Sequence, residues 1–221
     1  MTVARVVVAV GGPASPLAAA AVRLAARLEA ELLGLFVEDE NWHRMAALPF
    51  TRVAGHGPLS QAIDTDMLAR ALRRGVAEVR RAMAEAAGPE LRWTLRVVRG
   101  LVVAEAVRAA EAGDLVVVPA ELLAGRGLEA AARGRADVLG LRSGVEARRI
   151  LIAAGAGPEV EAGAARLAAA CGWLIERAGV QALERHAHPA DVVVAVRAGE
   201  VPPALRAGVC SLLLVRVAAR G

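Results

Sequence analysis

The chain has 221 residues, 56% of them apolar and 2% aromatic, with a formal net charge of +4 and an isoelectric point near 10.6. That length suffices for one domain or two small ones with a substantial core, and an apolar content carried by Ala, Val and Leu requires packing by small and branched side chains. Every apolar run is interrupted well before the ~20 residues a membrane-spanning helix needs, and so few aromatics leave little for base stacking, which disfavours nucleic-acid binding.

Residues 5–35, RVVVAVGGPASPLAAAAVRLAARLEAELLGL, predict a strand, a tight glycine turn, a helix and the start of a second strand. Residues 6–10 form an apolar run without alternation, the pattern of a strand covered on both faces of a parallel sheet. Gly11 and Gly12 end it. Ser15 is placed to accept bonds from the open amides of the first helical turn, and Pro16 suits the first helical position because its missing N–H would have had no partner there. Leu17, Ala21, Leu24 and Leu28 then lay one apolar stripe against the sheet. An arginine followed by an apolar run has the outline of a secretory leader, yet Gly11, Gly12 and Pro13 break the run early, so the segment is assigned to the fold.

The second strand is expected over 32–37, followed by a connection over 41–60 that holds Pro49, Gly55, Gly57 and Pro58 and no sustained period. Long connections of this kind are often binding loops or lids; here Trp42, Met45, Leu48 and Phe50 could serve a protein contact or cover the sheet. From Ser60 the period becomes helical, with Ile63, Met67, Leu72, Val76, Val79 and Met83 on one side, until Gly88 and Pro89 stop it. Residues 91–98 alternate Leu91, Trp93, Leu95 and Val97 inward with Arg92, Thr94 and Arg96 outward, which predicts an edge strand with one wet face. A helix starting at Gly100, a buried strand over 115–118, a short helix over 128–133 and a strand over 138–141 follow, and 142–148 reads as a linker.

A shorter version of this plan then returns. RILIAAGAG from Arg149 again runs a strand into a glycine turn, Pro158 again opens a helix, and ARLAAACG from Ala165 echoes ARLEAE. GDLVVVP at Gly113 is matched by ADVVVAV at Ala190, and ADVLGLR at Ala136 by CSLLLVR at Cys210. Duplication divides the chain into 1–142 and a truncated repeat, 149–221, that lacks the long helix and the edge strand and should lean on the first for its core. Between its landmarks only a segment over 173–178 and a helix over 181–185 fit.

Arg70, Arg73, Arg74, Arg80 and Arg81 share the long helix with Glu78 and Glu85, and read as its solvated face rather than a nucleic-acid footprint. Cys171 and Cys210 read as buried thiols of a cytoplasmic protein. Glu38, Asp39, Glu40 and His43 offer ligand types for a divalent ion, but without a metal motif they read as a solvated acidic loop; a metal-dependent enzyme is the third functional alternative. His186 and His188 would point to opposite sides of an extended segment, which disfavours joint ligation. No nucleophile motif or triad is visible, so no catalytic residue is assigned and the chain is expected to be no enzyme.

Open parallel sheets bind ligands at the carboxyl ends of their strands, which points to the loops after Val10, Val37 and Val118. The run VVVAVGGPASPLAAAAVRLAARLEAELLGLFV, with GDLVVVP and ADVLGLR downstream, resembles the universal stress proteins in their tandem form. The resemblance implies a doubly wound, flavodoxin-like parallel sheet of the adenine-nucleotide alpha-hydrolase-like kind, duplicated as a pseudo-dimer. It also implies, for the nucleotide-binding branch, an Asp after the first strand and a Gly-x-x-Gly, nine residues, Gly-Ser/Thr run after the fourth that hold ATP. Here the Asp position is Gly11, or Ala154 and Gly155 in the repeat, and PAELLAGRGLEAAARGRADVL after Val118 lacks both that spacing and a hydroxyl. Gly125 and Gly127 with Arg126 could form an anion nest, although turning the chain explains them more simply.

The expectation is therefore a non-catalytic, cytoplasmic stress-response or regulatory protein with a degenerate nucleotide site and no cofactor, acting on a protein partner or as a homodimer, away from membranes. The alternative is an ATP- or AMP-binding protein or weak ATP hydrolase, whose ligand would meet Gly11, Gly12, Asp39, Pro119, Gly125, Arg126 and Gly127.

Overall fold

A computed structural model of the chain describes residues 3–12, 15–40, 44, 52–53, 61–62, 65–142, 147–186, 192–197, 201–202, 205 and 210–216. In chain order the elements are β1 (Arg5–Val10), α1 (Ser15–Arg27), β2 (Glu31–Asp39), the two-residue strands β3 (Arg52–Val53) and β4 (Gln61–Ala62), α2 (Thr65–Ala86), β5 (Trp93–Gly100), α3 (Val102–Ala109) and β6 (Leu115–Pro119). A 3₁₀ turn (Ala120–Leu122), α4 (Arg126–Arg133) and β7 (Asp137–Leu141) complete the first half. The second half holds β8 (Arg149–Ala153), α5 (Pro158–Cys171), β9 (Leu174–Ala178), α6 (Val180–His186), β10 (Val192–Arg197) and β11 (Ser211–Val215).

Nine strands form one sheet in the order β5-β2-β1-β6-β7-β11-β10-β8-β9. Val6 to Val10 are at most 1% exposed, because helices cover both faces: Val6, Val8 and Val10 belong to the apolar cluster that holds residues of α1, α2 and α5, while Val7 and Ala9 belong to the one that holds residues of α3, α4 and α6. This is a doubly wound, flavodoxin-like α/β fold. Full burial on both sides is why the central strands read as continuous apolar runs, each fully buried Val or Leu contributing roughly 1.5–3 kcal/mol of transfer free energy. Arg5 fastens β1 to the turn before β6: its Nη2 and Nε donate to Asp114 Oδ2 at 2.6 and 3.2 Å, and the Glu111 amide donates to the same oxygen at 2.9 Å.

Within this nine-stranded sheet the neighbouring strands are parallel except β7 and β11, which pair antiparallel with Leu213 opposite Leu139. Moving outward from that seam, each side repeats the same connection order, β7-β6-β1-β2-β5 on one side and β11-β10-β8-β9 on the other. The seam is closed at both ends by matching bonds. Asp137 Oδ1 accepts the Arg216 amide at 2.7 Å, and Ser211 Oγ accepts the Arg142 amide at 3.2 Å; in the ADVLGLR and CSLLLVR runs Asp137 matches Ser211 and Arg142 matches Arg216. On one face α1 also reaches α5, where Arg27 Nη1 donates to the Cys171 carbonyl at 3.0 Å.

Several boundaries differ from expectation. β2 extends to Asp39 because β5 pairs along it as far as Asp39 opposite Gly100. α2 begins at Thr65, since Gln61 and Ala62 pair with β3 instead. β5 starts at Trp93, two residues late, and its inward alternation fails at Val97, which is 49% exposed while Val98 on the opposite face packs against the core. Cys210 is buried, but Cys171 is only half-buried at the end of α5; burial raises both thiols above their ordinary range. The five arginines of α2 are exposed, as its amphipathic period requires. Most of the 41–60 connection, His43, His188 and the side chains of Ser15 and His186 lie outside the described residues.

Candidate functional site

At the carboxyl ends of β1, β2, β5 and β6 the chain leaves a cleft of about 320 Å³. Asp39, Arg126 and Gly127 line it, together with Glu121 and an apolar set that includes Leu101, Val102, Leu122 and Ala124. Gly125 stands between two of these lining residues as the cap of α4. Gly11 ends β1 just behind the cleft wall, whereas Gly12 and Pro119 are not part of the lining. The cleft lies at strand ends, and three of the seven sequence-selected residues line it.

The glycines have packing reasons. A Cβ on Gly11 would stand 2.7 Å from Val102 Cγ2, so any side chain at this position competes with the first residue of α3. Val102 occupies the room that an aspartate after β1 would need. A Cβ on Gly127 would overlap the carbonyl oxygen of Leu122; glycine is what lets α4 start directly against the 3₁₀ turn. The loop is also tied internally, with the Leu123 amide donating to Ala120 O at 3.0 Å, Gly127 to Ala124 O at 3.0 Å and Glu129 to Gly125 O at 3.1 Å. A phosphate cradle works by turning such amides toward the ligand.

Charge in the cleft is mixed. Arg126 faces a wall that also holds Asp39 and Glu121. Glu105 folds back so that its Oε1 lies 2.5 Å from where a Cβ on Gly100 would stand, and Arg108 Nη1 holds that carboxylate at 2.9 Å. Its side chain is 13% exposed, which places a negative group of the protein at the positive end of α3. Glu38 pairs with Arg99 at 3.6 Å and Glu40 with Arg44 at 2.7 Å, so two of the acidic residues over 38–40 have arginine partners. Among the described residues no three His, Cys, Asp or Glu side chains converge as a metal site.

No protein-family model matches this chain, and no curated protein matches its sequence. The mouth of the cleft is apolar: Leu101 is 40% exposed and Leu122 37%. Sequence reasoning missed Leu101 and Val102, while Glu121 and Leu122 lie within the 119–127 loop it pointed to without being singled out. Leu122 and Leu123 are identical neighbours, one exposed and the other buried at 1%, and only the tight 3₁₀ turn between Pro119 and Leu123 separates them. Nothing local distinguishes the two, although an apolar residue directly after Gly100, at the cap of α3, was a readable sign of exposure. Among the described residues no helix is long and apolar enough to cross a membrane.

Proposed function

We propose that this chain is a non-catalytic, cytoplasmic stress-response or regulatory protein of the universal stress protein type, whose strand-end cleft receives a protein partner instead of a nucleotide. The observation that carries this reading is the exposed pair Leu101 and Leu122 at the cleft mouth. Exposed apolar groups around a cleft favour a protein contact, and a triphosphate at the same place would need hydroxyls and open amides. Three further observations support it: Val102 against Gly11, Glu105 over Gly100, and the bonds internal to the loop over 119–129. The repeated sequence runs and the seam between β7 and β11 support the tandem family assignment.

A second reading, ATP or AMP binding or weak ATP hydrolysis, is favoured by one feature. The first residues of α3 and α4 both border the cleft, and neither helix has a side-chain cap, so two positive helix ends meet there. Isothermal titration of nucleotide-free protein with ATP, with and without magnesium, separates the readings. The expected result is no saturable heat at millimolar ATP. A dissociation constant near 1 µM, about −8 kcal/mol, would overturn the proposal and assign the cleft to nucleotide, with Arg126→Ala as the variant expected to weaken it.

A further inference from the structure

Among the described residues the sheet has two edges, β5 and β9. They are defended differently. β5 carries Arg96 and Arg99 in exposed positions, and charged edges of one sign keep copies of a chain from pairing there. β9 instead displays Leu174, 66% exposed, and Ile175, 38% exposed. These two open the strand, ahead of Glu176 and Arg177, and an unpaired edge with exposed apolar residues is a template for another strand.

The orientation of the β9 backbone is fixed by its bonds to β8. The Leu174 amide donates to Arg148 O at 2.9 Å and Ala178 O accepts the Ala154 amide at 2.8 Å. Even-numbered residues therefore turn toward β8, and Ile175 and Arg177 turn their N–H and C=O groups to the open side. Ile175 pairs with Ile150, which lies on the face covered by α5, so Ile175 and Arg177 share that face while Leu174 and Glu176 share the other. Arg177 is held there by Glu161 of α5, Nε to Oε1 at 3.1 Å and Nη2 to Oε2 at 3.2 Å.

We propose that β9 pairs antiparallel with β9 of a second copy of this chain across a two-fold axis through Ile175. Such an axis, perpendicular to the sheet, preserves its faces, and directly opposed residues of an antiparallel pair share a face. A residue can therefore oppose only itself at the centre. Centring on Glu176 sets two carboxylates against each other and centring on Arg177 two guanidinium groups, both unfavourable; centring on Leu174 or Ala178 overlaps less of the strand. Centring on Ile175 opposes Ile175 with its copy, Leu174 with Glu176, and Trp173 with Arg177, which sets a cation beside an indole. In this register the outward groups also meet. Ile175 exchanges N–H and C=O with its copy, and the Arg177 amide meets the Trp173 carbonyl. The Trp173 amide is already given to Ala168 O at 2.9 Å and is not required. The same kind of antiparallel junction joins β7 to β11 within the chain.

Sedimentation velocity of the full chain across the micromolar to millimolar range tests this. A reversible monomer–dimer equilibrium is expected, weakened roughly tenfold (about 1.4 kcal/mol) by Ile175→Lys, which places like charges on the axis. A monomer at every concentration overturns the proposal, as does a dimer that Ile175→Lys leaves unchanged. Trapping keeps the test independent of that variant: Ile175→Cys should be linked into a dimer by a short bis-maleimide faster than wild type, with its Cys171 and Cys210, and faster than Val97→Cys on the opposite edge. Equal or slower trapping at 175 overturns the proposal. The outcome is independent of what the cleft binds.

Discussion

β2 and β9 hold the same place in the two halves of the molecule: each follows the first helix of its half and pairs parallel with that half's first strand. Their fates differ. β2 lies between β1 and β5, and six of its residues, Leu32 to Val37, are buried, with Phe36 at 1%. β9 has a neighbour on one side only, and four of its five residues are exposed. The first half supplies α2 and β5 to enclose its strand, while between β9 and β10 the described residues of the second half hold only α6. The two sequences match their surroundings. ELLGLFVED leaves its charges at the ends, whereas LIERA places Glu176 and Arg177 at the centre, where Arg149 and Glu161 pair with them at 3.2 and 3.1 Å. Burial of a strand is thus set by the elements added around it.

The largest expected effect is on the enclosed strand. Phe36→Ala should destabilise the protein by about 3–5 kcal/mol, the range for removing a buried aromatic ring, read as a lower urea midpoint; a cost below about 1 kcal/mol would show that β2 is less enclosed than its burial indicates. Asp114→Ala comes next. It removes the acceptor shared by Arg5 and the Glu111 amide, and should cost about 2 kcal/mol, in the range for hydrogen bonds to charged groups.

A smaller effect separates the two ends of the seam. Burial pushes the Asp137 carboxyl above the ordinary carboxylate range, against the lowering effects of the Arg216 amide and of Arg166. A carboxyl that holds its proton more tightly in the folded state contributes stability that is complete below the unfolded value and is lost as pH rises through the raised folded value. Asp137→Asn keeps an oxygen for the Arg216 amide without that loss. Its urea midpoint should match wild type in acid and exceed it increasingly as pH rises to neutral; the reverse trend would mean that the Arg166 pair, at 3.5 Å, outweighs burial. Ser211, at the matching end, has no charge to titrate, and Ser211→Ala should give a difference independent of pH across this range. Least affected should be Leu174→Ala, within about 0.5 kcal/mol as for exposed positions, a near-silent counterpart to Phe36→Ala under dilute conditions.

Much of the architecture was legible because its causes are local. Unalternating Val runs marked the strands covered on both faces, Gly11 and Gly88 stood near the ends of elements, Pro158 opened α5, and the repeated runs foreshadowed the connection order shared by the two sides of the seam. Each of these follows from chain sterics or from a residue's wish for one environment, which neighbours in sequence express. The cleft was legible only as a location, the carboxyl ends of the strands.

Other features depend on partners distant in sequence. The antiparallel seam joins Asp137 to Arg216, 79 residues apart, and neither residue announces the other. Val97 lost its inward place at the sheet edge, and Leu122 parted from Leu123 through the rotation of a 3₁₀ turn. Gly11 looked like a missing ligand and proved to be the space for Val102. Periodicity and turn chemistry act within a few residues and so are written in the chain, whereas which edge stays open, which leucine meets water and what fills a strand-end cleft are steric and electrostatic outcomes of packing, decided when distant segments meet.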